Sequence, residues 1–189
     1  MPADLVERMK GFLTDPVESF KDAKGDDLGE VLKYFVVILA INAVLSGLLV
    51  MAGFNLYGDL SGMGIGTGVV AGISMIIWGI VAGLIGLFVI GLIIHLFVVI
   101  LVGGNGLEQT IKAVAYGATP AMLLGWIPFI GFLAGIWSLV LYVLGIRELH
   151  ETTTGRAAAA VLLPLVVLFV LGFILLAAVI AFFTLAPVS

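Results

Sequence analysis

An ionisable side chain in an uncharged run is the residue best placed to do chemistry in this sequence. His95 sits in the charge-free stretch Val69–Val102. A group of that kind at membrane depth is costly, so it marks either an ion or proton path or a structural hydrogen bond. His95 stands seven residues before Val102, ~10 Å in from that end at 1.5 Å per residue. Tyr116 stands seven residues after Gln109, where the next apolar run begins. The connecting Gly103-Gly104-Asn105-Gly106 reads as a tight turn. The two helices are therefore expected to be antiparallel neighbours, with His95 and Tyr116 at one depth. Pro120 deprives the carbonyl four residues earlier, that of Tyr116, of its helical donor. Thr119 lies beside it, and Glu148 and His150 follow the fourth apolar run. His95, Tyr116, Thr119, Pro120, Glu148 and His150 thus form a candidate polar cluster at one mouth of a helical bundle.

Two readings of that cluster stay open. The functional one is a proton- or ion-handling site, or a small metal site, since imidazole and carboxylate suit zinc. The structural one is a neutral His95 bonded to a neighbouring carbonyl or to Tyr116. Two histidines without ligand spacing on one helix are a poor donor set, so no metal and no cofactor is expected. There is no HExxH, no Ser/His/Asp arrangement with supporting context and no carboxylate pair within a span. An enzyme is not expected. Gly62–Gly68 is glycine-rich but follows no strand, so it reads as a loop and not as a phosphate cradle.

The elements that must position these residues follow from composition. The chain has 189 residues, 62% hydrophobic and 11% charged, with a mean hydropathy of +1.31. Ordinary soluble domains are about half apolar and a quarter charged. Lipid must therefore be part of the solvent. The absence of cysteine excludes disulfides and thiol chemistry, and a net charge of −4 offers nothing to nucleic acid. The pattern predicts an all-α integral membrane protein with five spans, at about 34–54, 69–102, 109–126, 129–146 and 157–185. Residues 31–189 form this transmembrane domain. The run 69–102 is long enough for a hairpin, but Lys and Arg decide against one. With a single helix there, Arg8, Lys10, Lys21, Lys24, Lys33, Lys112, Arg147 and Arg156 all fall on one side. The positive-inside rule then places the N-terminus in the cytoplasm and the C-terminus outside, in a multi-pass protein of the cell membrane. A single helix of that length is ~50 Å long against a ~30 Å hydrocarbon core, so it must tilt, kink or protrude on the outer side.

Residues 1–30 form a cytoplasmic segment. Leu5, Val6, Met9, Phe12 and Leu13 recur at helical spacing, and Asp15-Pro16-Val17-Glu18 starts a second short helix. These amphipathic helices are expected to lie at the bilayer interface. No signal peptide is visible, so the first span would serve as its own targeting signal. Glycine pairs four apart, Gly68/Gly72, Gly79/Gly83 and Gly131/Gly135, allow close helix approach. They suit packing within the chain more than a dimer seam.

One resemblance runs through most of the chain. His95, Gly103-Gly104, Gln109-Thr110, Tyr116 with Thr119-Pro120, Pro128, Gly131, Trp137, Gly145, Glu148 and His150 occur in an order that resembles the Yip (Ypt-interacting protein) membrane family. The segment Leu13–Phe20 resembles what precedes the first span in short prokaryotic-type members. The resemblance implies five spans and a cytoplasmic N-terminus. Eukaryotic members act in vesicle traffic and bind small Rab-type GTPases, but this chain lacks their long N-terminal extension, so GTPase binding is not carried over. The expected role is an adaptor or membrane-organising factor whose partners are the lipid bilayer and either other proteins or further copies of itself. The alternative is a small channel or transporter using the polar cluster around His95 and Tyr116.

Overall fold

The computed structural model describes residues 5–54 and 68–185, with backbone alone for 183–185. Among the described residues every regular element is helical. Two short helices, α1 (Leu5–Thr14) and α2 (Pro16–Asp22), lead through a 3₁₀ turn at Ala23–Gly25 into α3 (Leu28–Met51). Asp15 caps α2 by accepting the Glu18 N–H, and Pro16 opens it. Asp27 caps α3 by accepting the Gly29 N–H at 2.8 Å. That cap starts α3 before the apolar run does, so Glu30 and Lys33 ride on its first turns.

α4 (Val69–Leu101) is one uninterrupted helix of 33 residues. α5 (Leu107–Gly117) and α6 (Thr119–Leu124) divide the third apolar run at Ala118, where Pro120 forbids a continuous ladder. α7 (Ile130–Leu149) and α8 (Thr154–Leu185) complete the described elements. Among the described residues, four helices, α3, α4, α7 and α8, are long and apolar enough to cross a membrane.

Close glycine contacts set the α3–α4 register. A Cβ on Gly47 would lie 2.8 Å from the Gly72 carbonyl, and one on Gly72 would lie 2.6 Å from the Gly47 carbonyl. Farther along, Gly79 meets Ala43 and Gly83 meets Leu39. The Gly68 N–H donates to Val50 O, so α4 begins level with the end of α3. Continuing the register sets Leu28 opposite Ile94. The surplus length of α4 therefore overhangs the start of α3, at the charged end of the bundle and not at the far one.

That overhang makes a second layer, and α1 and α2 fill it. Their apolar face packs into the bundle: Phe12 and Phe20 are fully buried, joined by Leu5 and Met9. The interfacial placement expected from amphipathicity thus takes another form here, because protein covers the apolar side except at Val6, which stays exposed. α5 is the central pillar, with Thr110 to Pro120 buried consecutively. α8 is the opposite case. Ala157, Ala160, Val161 and Pro164 pack at its start, and from Leu165 to Phe182 it is exposed.

Candidate functional site

Two polar groups lie at the charged end, and they share the candidate residues between them. The first joins α4, the turn after it, α5 and the end of α7. The Asn105 N–H donates to His150 Nδ1 at 2.8 Å. Thr110 Oγ1 lies 3.0 Å from His150 Nε2 and 2.9 Å from His95 Nδ1. A backbone N–H can only donate, so it fixes the His150 tautomer. His150 keeps a lone pair on Nδ1 and donates from Nε2 to Thr110, whose hydroxyl also bonds His95 Nδ1. Burial pushes the His150 pKa down to about 4, with the neighbouring His95 adding to the fall. Glycines make the turn possible. Gly103, Gly104 and Gly106 all have positive φ, and a Cβ on Gly104 would come within 2.8 Å of His150 Nδ1. Asn105 Nδ2 also donates to Leu149 O at 3.1 Å, holding the turn against the end of α7.

The second group centres on Tyr116. Its hydroxyl donates to Asp26 and accepts from Arg8. Arg8 Nη1 also reaches Asp26 Oδ2 at 2.6 Å, and Nη2 reaches Oδ1 at 3.2 Å. Burial works against the Arg8 charge, but the Asp26 carboxylate more than offsets it and raises the pKa. Phe12 stacks on the Tyr116 ring at 4.5 Å, and Tyr34 meets that ring edge-on at 5.0 Å. The carbonyl that Pro120 frees does not stay free. Thr119 Oγ1 donates to Tyr116 O at 2.5 Å. With its one proton used, the Thr119 hydroxyl accepts from the Tyr34 hydroxyl at 2.8 Å.

His95 and His150 are thus brought together through Thr110, whereas Tyr116, Thr119 and Pro120 belong to the Arg8–Asp26 group. Glu148 pairs with its neighbour Arg147 at 2.5 Å. The overhang of α4 also sets His95 level with the Asp26–Asp27 turn, so it sits in the charged layer and not deep in the apolar one. Sequence reasoning missed Arg8, Asp26, Tyr34, Asn105 and the buried Lys112. Lys112 is 2% exposed; it bonds Glu108 at 2.8 Å and Lys24 O at 3.3 Å. The available signal was its single charge within an apolar run, the same signal that singled out His95. Among the candidate packing glycines, Gly83 takes the Leu39 side chain, Gly131 lies on the Gly125 backbone, Gly79 makes an ordinary contact and Gly135 faces open space. No group of three or more metal-ligating side chains occurs among the described residues.

The ends of α6 are tied equally closely. The Ala121 N–H donates to Ser138 Oγ on α7 at 3.0 Å. Of the last four carbonyls, Ala121 O takes the Gly125 N–H, Met122 O takes Asn42 Nδ2, Leu123 O takes the Trp126 indole and Leu124 O takes the Ile127 N–H. A helix end in lipid needs this, because no water is there to satisfy it.

The Yip1 domain family model matches residues 10–184, from α1 to the last turn of α8. The chain belongs to the Yip1 domain family. The match takes in both polar groups and every apolar helix, so all the site residues except Arg8 are Yip1 domain residues. No curated protein and no solved structure matches the chain. The Yip1 family is not in general a family of enzymes, and with its apolar helices this chain is a membrane protein of that family.

Proposed function

We propose that this Yip1-family protein is a non-enzymatic adaptor or membrane-organising factor of the cell membrane that works through its charged end. In this reading there are five membrane segments and a cytoplasmic N-terminus, and the third and fourth segments, α5–α6 and α7, form a hairpin that turns inside the far leaflet. The observation that carries the reading is the use made of α1 and α2. Their apolar faces are spent on the bundle, and Arg8, Lys24 and Lys112 tie them down. Glu7, Lys10, Glu18 and Lys21 are left as an exposed polar surface of fixed shape. A preordered surface costs less entropy to dock than a free helix does. All eight Lys and Arg residues belong to the same end, which supports its facing the cytoplasm.

The rival channel reading meets a physical obstacle. The His95–Thr110–His150 chain ends on a backbone N–H, which has no lone pair to receive a proton. A proton cannot leave that way unless the Asn105 bond breaks.

A photo-crosslinking residue at Lys10 or Lys21, compared with one at Phe173, tests the adaptor reading in native membranes. A single protein, or a second copy of this chain, crosslinked from the α1–α2 positions and not from Phe173 is the expected result. Equal or absent crosslinking at all three, with proton flux in liposomes abolished by His95→Ala, favours the channel instead.

A further inference from the structure

A cavity of about 480 Å3 lies at the end of the bundle away from the lysines and arginines, between α3 and the α6–α7 turn. It exists because the hairpin is short. Asn42 bonds Met122, and α6 ends two residues later, so the chain turns near the level of Ser46. α3 continues more than a turn beyond, to Met51. Counting from Tyr34 at 1.5 Å per residue, Asn42 and Ser46 are ~12 and ~18 Å into a hydrocarbon core ~30 Å thick. The gap above the hairpin therefore opens within the leaflet far from the charged end.

Its lining has two characters. Asn42 and Ser46, one turn apart on α3, give it a polar side. Asn42 spends its amide nitrogen on Met122 O at 2.8 Å, which leaves its oxygen as an acceptor. The other side is aromatic: Phe54, Trp126, Phe129 and Phe132. Phe129 is 93% exposed and Phe132 74%, and Phe129 holds φ at 66° to turn the chain. Among the described residues, no charged side chain lines the space. A site in lipid with an uncharged polar pair and an aromatic collar fits an ester or hydroxyl group joined to a long apolar chain. It does not fit a phosphate or a soluble ion. The volume falls in the usual range for ligand sites, ~300–1,000 Å3.

We propose that this cavity binds one glycerolipid of the far leaflet, with its uncharged ester region on Asn42 and Ser46 and an acyl chain held by the aromatic collar. The short hairpin lets this lipid sink below its neighbours.

The test is native mass spectrometry of the full chain after exchange into palmitoyl-oleoyl phosphatidylcholine. One lipid per chain should survive activation that strips the rest. Ser46→Phe, which fills the cavity, should cut that population at least tenfold, while the protein still melts cooperatively. No retained lipid in the natural chain, or equal retention in a folded Ser46→Phe chain, overturns the proposal. A second measurement does not depend on that variant folding. In a Trp78→Phe, Trp137→Phe background, Trp126 fluorescence in detergent should be quenched by chain-brominated phosphatidylcholine and saturate at one per protein. Quenching that rises without saturation overturns the proposal.

Discussion

At the scale of single residues, the charged end holds largely buried polar side chains that bond one another. Tyr116→Phe keeps the ring that Phe12 stacks on and removes only the hydroxyl. The hydroxyl's two charge-assisted bonds are lost, but Arg8 and Asp26 still pair and partly replace them, so the net loss is about 1.5–3 kcal/mol. A melting temperature lowered by roughly 3–10 °C in a fixed detergent checks this; an unchanged one means the hydroxyl contributes nothing. His150 gives the pH dependence. Its folded pKa is about 4, below the ordinary 6.5, so the folded state holds the neutral ring. The stability this lends is complete above pH ~6.5 and is lost as the pH falls from there towards 4. A proton on Nδ1 would face the Asn105 N–H donor-to-donor. Thermal melts between pH 8 and pH 4.5 should show a decline that His150→Gln makes shallower, and a decline of equal steepness in the variant removes the assignment.

At the scale of elements, glycines that look alike in sequence do different work. Gly72 touches the Gly47 backbone, whereas Gly135 has nothing near it. Gly72→Ala forces α3 and α4 apart and should cost about 1–3 kcal/mol. Gly135→Ala meets no obstacle and gains helix propensity, so it should be neutral or stabilising by up to ~1 kcal/mol. Denaturation of the pair in one detergent compares them directly, and equal losses would refute the α3–α4 contact. The α5–α6 break follows the same logic. Pro120 made a freed Tyr116 carbonyl legible in the sequence, but that Thr119 fills it was not, because this depends on a side-chain rotamer. Thr119→Val leaves the carbonyl without its donor and Tyr34 without its acceptor, and should cost about 1–3 kcal/mol.

At the scale of the molecule, the bundle is uneven. α5 is buried from Thr110 onward, whereas α8 is exposed from Leu165 to Phe182. Lipid is the natural cover for such a helix. Phe169→Leu and Phe173→Leu should therefore leave stability within about 0.5 kcal/mol, measured by the same melts. A large loss would mean that this stretch packs against protein in the membrane.

Apolar runs, their lengths and the breaks at Gly103–Gly106 and Pro120 were readable without coordinates, because helix formation in lipid is a local matter of hydropathy and hydrogen bonding. The segregation of Lys and Arg was readable for the same reason. Depth and partnership were not. His95 was reckoned from the end of its own helix, but its level depends on how far α4 overhangs α3, and contacts such as Gly47 against Gly72 set that. Nothing in the sequence marks Arg8 and Asp26 as partners, because periodicity shows that a helix has an apolar face and not what covers it. Only the packing of Phe12 onto Tyr116, 104 positions away in the sequence, makes that face part of the protein core. Contacts between distant segments are decided by tertiary packing, which no local pattern encodes.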